Sequence, residues 1–150
     1  MAESRAKRMG VVLMLAERQE DEAAQKVRQF REQLAQEERQ LQELRDYAKQ
    51  YLDAQGALRQ GVLPHELINY SNFIHRLNEA CNEQQAKVLR MQGMLANLQK
   101  QWQARHQKRK SIEDLIKRLQ HEDDLLLDKR LQKELDELSS LQLQHRAGQE

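Results

Sequence analysis

Few residues in this chain have the type and spacing that chemistry needs. His65-Glu66-Leu67-Ile68-Asn69 begins like a zinc-hydrolase helix, in which two histidines four apart share one face and the glutamate serves as base. Asn69 stands where the second histidine is required, so one ligand is missing. His121-Glu122-Asp123-Asp124 gathers potential ligands, but adjacent residues on a helix point in different directions, and a solvated polar face is the simpler reading. Cys81 is the only cysteine. It excludes an internal disulfide and a cysteine-rich zinc site, and suits a reducing compartment. No glycine-rich phosphate loop and no Gly-x-Ser-x-Gly elbow occurs. The basic run Arg105-His106-Gln107-Lys108-Arg109-Lys110 could touch phosphates. Acidic runs at Glu37-Glu38 and Glu122-Asp123-Asp124 oppose it, however, and Trp102 is the only nearby ring for stacking. These residues predict a non-enzyme with no cofactor, no metal and no nucleic-acid partner.

The elements that position these residues follow from composition. In 150 residues, 33% are charged and only 4% aromatic, which is too little apolar mass for a rounded core and enough for a narrow seam. Lys+Arg at 25 against Asp+Glu at 24 leaves a net charge of +1, so no overall field draws the chain to nucleic acid or anionic lipid. Two of the five glycines and the only proline fall in Ala54-Gln55-Gly56-Ala57-Leu58-Arg59-Gln60-Gly61-Val62-Leu63-Pro64-His65. Helical composition lies on both sides of it. The expected fold is all-α, one domain over residues 1–150, with two long helices forming an antiparallel coiled-coil hairpin. The bend falls near residues 56–66, and the ends, about 1–10 and 144–150, are expected to fray. A hairpin of this kind has no dry concave pocket in which a pKa could be perturbed.

The N-terminus has basic residues ahead of Met9-Gly10-Val11-Val12-Leu13-Met14-Leu15-Ala16, the outline of a short signal peptide. The apolar run is too short, leads straight into Glu17-Arg18-Gln19-Glu20, and has Met14 where a small residue is wanted. It is also far below the ~20 residues of a membrane span. The expected location is the cytoplasm.

Seven-residue lines can be counted along both arms. The first arm carries Leu13, Glu20, Val27, Leu34, Leu41, Ala48 and, beside them, Ala16, Ala23, Phe30, Glu37, Leu44, Tyr51. Glu20 and Glu37 interrupt the apolar pattern. The second carries Ile74, Cys81, Val88, Leu95, Trp102 and Tyr70, Leu77, Gln84, Met91, Leu98, which puts Cys81 on the seam as a small apolar residue. Arg105 and Arg109 continue the seam. Apolar positions resume at Ile112, Ile116 and Leu119 and change phase at Leu125-Leu126-Leu127 before Leu131, Leu135 and Leu138. With a bend near residue 60 and a first helix starting near residue 10, pairing ends near residue 110. Residues 111–143 are then expected to overhang without a partner helix.

Aromatic residues flank the bend. Tyr47 and Tyr51 lie before it and Tyr70 and Phe73 after it, and Tyr47 and Phe73 fall outside the seam lines. Exposed rings on a rigid scaffold are the mark of a protein-binding site. The chain's length, its single hairpin, its tyrosines before the bend, and Ile68-Asn69-Tyr70-x-x-Phe73-Ile74-x-x-Leu77-x-x-Ala80 after it resemble the flagellar export protein FliJ family. The resemblance spans essentially the whole chain. It implies a non-enzymatic, stalk-like component of the bacterial flagellar type III export apparatus, located in the cytoplasm and peripheral to the inner membrane at the flagellar base. Its implied partners are the export ATPase hexamer, which it would bind and stimulate, the cytoplasmic domain of the export gate, and export chaperones, with no insertion into the membrane. The family's gate-binding surface maps onto Gln40, Leu44, Tyr47, Tyr51, Phe73, Leu77 and Ala80. The compared family member has histidine in place of Gln84, which leaves Gln84 at the edge of that surface. Leu44, Tyr51 and Leu77 also lie on the seam. At the other end, Arg18, Glu20, Asp21, Glu113, Lys117 and Arg118 are the candidates for contact with the ATPase. The alternative is a generic cytoplasmic tether whose aromatics merely cap the hairpin.

Overall fold

The computed structural model describes residues 5–58, 61 and 63–149. Arg59, Gln60 and Val62 of the expected bend, with residues 1–4 and 150 of the expected frayed ends, lie outside the described residues. Two helices, α1 (Arg5–Leu58) and α2 (Pro64–Ala147), pack against each other as an α-helical hairpin. α1 contains no proline, and good helix formers fill it. Gly61 then adopts a φ of 96°, a left-handed conformation that only glycine enters without strain. Pro64 occupies the first position of α2, where its missing N–H costs nothing. The Leu63 carbonyl accepts from the amides of Glu66 and Leu67, each at 3.1 Å, and so closes the first turn. At the far end the Gly148 amide donates to the Gln144 carbonyl at 3.0 Å.

Every position of the two counted lines on each helix is shielded from solvent. Ala16, Val27, Leu34, Leu41 and Ala48 of α1, and Ile74, Leu77 and Val88 of α2, are buried, while the remaining line positions are half-buried. Cys81 is a free, half-buried thiol.

The chain divides into two compact units, Asp21–Ala104 and Met1–Glu20 with Arg105–Glu150. In the first, Leu34, Leu41 and Val88 form the core, with Met91 and Leu95 packed against them. In the second, Ala6, Ala16 and Leu119 are buried. The seam there passes through half-buried His106 and Arg109, whereas Arg105, expected on it, is exposed. From Gln120 to Gln149 every residue is exposed, so the unpartnered stretch begins about nine residues later than the sequence predicts. Two things move it: α2 is offset so that Glu20 meets His106 and Arg109 rather than residue 100, and α1 starts earlier. α1 is helical from Arg5 rather than from residue 10, and each turn gained at its beginning shields more of α2.

Candidate functional site

A cluster of four rings lies in the unit Asp21–Ala104. Tyr51, half-buried, is at its centre, with ring centroids 4.7 Å from Tyr47, 5.8 Å from Tyr70 and 4.9 Å from Phe73, all tilted. The Tyr70 hydroxyl donates to the Tyr51 carbonyl at 2.7 Å, tying α2 to α1. Gln55 Nε2 donates to Ser71 Oγ at 3.2 Å and adds a second tie. The Tyr47 and Tyr51 hydroxyls are 3.1 Å apart. That hydrogen bond is the main reason the Tyr51 phenol is held above its ordinary value. Both outer rings face solvent, with Tyr47 45% and Phe73 38% exposed.

The other residues of the gate-binding candidate set divide by depth. Gln40 is exposed, Leu44 and Ala80 are half-buried, and Leu77 is buried on the seam. The surface offers ring faces and one phenol group. Such a patch can anchor a protein partner through desolvated contact.

The two acidic interruptions of the seam are built into polar layers. Gln84 Nε2 donates to Glu37 Oε2 at 2.6 Å and to the Glu37 carbonyl at 3.0 Å, and Lys87 Nζ reaches Glu37 Oε1 at 3.0 Å. The hydrogen bond from Gln84, then that from Lys87, hold the Glu37 carboxyl below its ordinary value. In the other unit Glu20 meets His106 Nδ1 at 3.2 Å and the Arg109 guanidinium, which also grips Glu113 at 2.7 Å. Desolvation of Glu20 works against its ionisation, but the hydrogen bonds from His106 and Arg109 outweigh it and its carboxyl is held low. The Arg109 guanidinium is pushed up by the same bond to Glu20 and by Glu113. Sequence reasoning saw the interruptions but not their partners. A signal existed for one layer, since Glu37 and Gln84 are the polar positions of their lines and lie almost equally far along the chain from Gly61.

These layers bear on the candidates for ATPase contact. Glu20 and Glu113 are half-buried and engaged within the chain, whereas Arg18, Lys117 and Arg118 are exposed in the same unit. Asp21 is exposed and belongs to the other unit. Elsewhere, no group of three or more His, Cys, Asp or Glu among the described residues is placed to hold a metal ion. His65, His121 and their acidic neighbours are exposed. No described helix is long and apolar enough to cross a membrane.

No curated protein and no solved structure matches the chain. A family model does, and it is that of the flagellar FliJ protein, over residues 5–148. A match that runs from the start of α1 to the end of α2, together with the helical hairpin and the rings flanking its bend, gives the conclusion that this chain belongs to the flagellar FliJ family, a component of flagellar export.

Proposed function

We propose that this chain is a stalk-like adaptor of flagellar export that links the export ATPase, and export chaperones, to the cytoplasmic domain of the export gate. The observation that carries the reading is the pair of exposed rings, Tyr47 and Phe73, each packed against Tyr51. A ring that only sealed the hairpin would be shielded by it. These two instead offer rigid apolar area to solvent, which suits a protein interface. Gln40 and Ala80 extend the same gate-binding patch.

The ATPase contact falls to charges at the surface, chiefly Arg18, Lys117 and Arg118, which are exposed where Glu20 and Glu113 are half-buried. Contacts made through exposed charges guide and orient without locking, which fits a stalk that must meet several ATPase subunits. The test is a titration of the gate's cytoplasmic domain with the full chain and with Tyr47→Ala and Phe73→Ala. Both variants should stay folded and bind more weakly. Unchanged affinity in both would reject the gate-binding reading.

A further inference from the structure

We infer that residues 5–20 of α1 form a releasable arm, which opens from α2 while the unit Asp21–Ala104 stays folded, and that Glu20, His106, Arg109 and Glu113 are the latch that holds it shut. The arm's apolar grip is small. Its buried side chains are those of Ala6 and Ala16, with Met9 and Leu13 half-buried. Val11, Met14 and Leu15, larger and more apolar than alanine, are exposed instead. The unit Asp21–Ala104, by contrast, buries Val27, Leu34, Leu41, Ile74, Leu77 and Val88. Burial stabilises in proportion to the apolar area removed from water, so a segment seated on methyl groups is held less firmly than one seated on leucines. Segments with few buried apolar contacts are the ones that open at low free energy.

Polar contacts hold the arm where apolar ones are thin, and they gather in its last turn. Arg105 Nη1 donates to Gln19 Oε1 at 3.1 Å, and His106 Nδ1 lies 3.2 Å from Glu20 Oε1. The Arg109 guanidinium donates to Glu20 and also holds Glu113 at 2.7 Å. The Glu20 side chain is only 16% exposed and that of Arg109 20%, far less than in the surface pair His75–Glu79. Charges sheltered in this way attract more strongly than surface charges and are screened less by salt. Glu20 is the member of the cluster that α1 supplies, whereas His106, Arg109 and Glu113 all belong to α2. When Glu20 leaves, Arg109 keeps Glu113, its neighbour four residues on, and is not stranded as an unpaired charge. The latch can therefore open and close without a large penalty on the α2 side. Opening bares half-buried Ile112 and Ile116 and buried Leu119, so the length of α2 offered to a partner depends on the state of the latch.

The experiment is thiol labelling of the full chain in a Cys81→Ser background, with circular dichroism to check that helix content is kept. A single thiol is introduced by Ala16→Cys in the arm or by Ala48→Cys in the other unit, both at buried alanines. The rate at which a buried thiol labels reports how often its surroundings open. The thiol at position 16 should label at least about tenfold faster than the one at position 48. Glu20→Gln, which removes a charge-assisted hydrogen bond, should speed labelling at position 16 about tenfold further and leave position 48 unchanged. Glu37→Gln, in the polar layer of the other unit, should leave position 16 unchanged. Equal rates at the two positions overturn the inference. So does a Glu20→Gln chain whose position 16 labels no faster, or one in which position 48 accelerates as much, since the hairpin then loosens as a whole. A Glu37→Gln chain that speeds position 16 as much as Glu20→Gln does overturns it as well.

Discussion

Glu37 and Glu20 occupy seam positions where an apolar side chain would bury more surface, and each is compensated by a donor set from α2. Gln84 and Lys87 serve the first, His106 and Arg109 the second. Polar groups placed this way specify which turn of one helix lies against which turn of the other. Both carboxyls are held below their ordinary value of 4.5, so the folded chain binds their ionised forms preferentially. The stability they lend is therefore fully present above that value and is lost as pH falls through the lowered folded pKa values. Melting followed from neutral pH into this acid range should show the loss, and the Glu20→Gln/Glu37→Gln chain should show a shallower acid limb. An identical limb would mean that the layers are not what responds to acid. Also at this scale, Tyr47→Ala and Phe73→Ala should each weaken gate binding by more than ~1 kcal/mol while leaving the hairpin folded, because both rings lie outside the buried seam.

At the scale of the element, the hairpin rests on a seam one side chain wide. Leu34 packs with Leu41 and Val88, and Leu34→Ala should cost about 2–3 kcal/mol, the low end for a buried leucine because a two-helix seam relaxes readily around a cavity. Leu89, one residue from buried Val88 but exposed, is the control, and Leu89→Ala should change stability by no more than about 0.5 kcal/mol. Equal effects in urea titrations of the two would mean that the seam register is wrong. Gly61→Ala tests the bend separately. Nothing lies within 4 Å of an added Cβ, so the expected loss of about 1–2 kcal/mol comes from backbone strain at positive φ alone.

The same comparison explains what could be read in advance. The seam was legible because each line repeats every seven residues, and burial follows those lines on both helices. The exposure of Tyr47 and Phe73 was legible too, since they fall off the lines, whereas the depth of Leu44, Tyr51 and Leu77 was not, because they lie both on the lines and in the mapped surface; Leu77 is buried and the other two are half-buried. The pairing across the seam was harder to see. A heptad count fixes the face of each helix but not its axial offset, so Glu20 was visible as an interruption and Arg109 as a seam residue, yet their contact was not. His106 was missed for the same reason, and the start of the exposed stretch was misplaced because the same axial offset was not legible and because the first helix was started five residues too late.

For the whole molecule, the two proposed partner surfaces belong to different compact units, the rings to Asp21–Ala104 and Arg18, Lys117 and Arg118 to the unit that includes Arg105–Glu150. With a net charge of +1 the chain has no overall field to steer it toward the ATPase, so recognition has to come from local charge. Substitutions in separate units with no shared partners act independently. Reversing Arg18, Lys117 and Arg118 to glutamate should therefore abolish stimulation of the export ATPase and leave gate affinity unchanged, and the wild-type ATPase interaction should weaken steeply with added salt. The rings should behave oppositely, since Phe73→Ala weakens gate binding and spares stimulation. ATPase assays and gate titrations on the same preparations decide the matter. If charge reversal leaves stimulation intact, the ATPase contact is not made by these residues. If it also removes gate binding, the two surfaces are not separable and the adaptor reading fails.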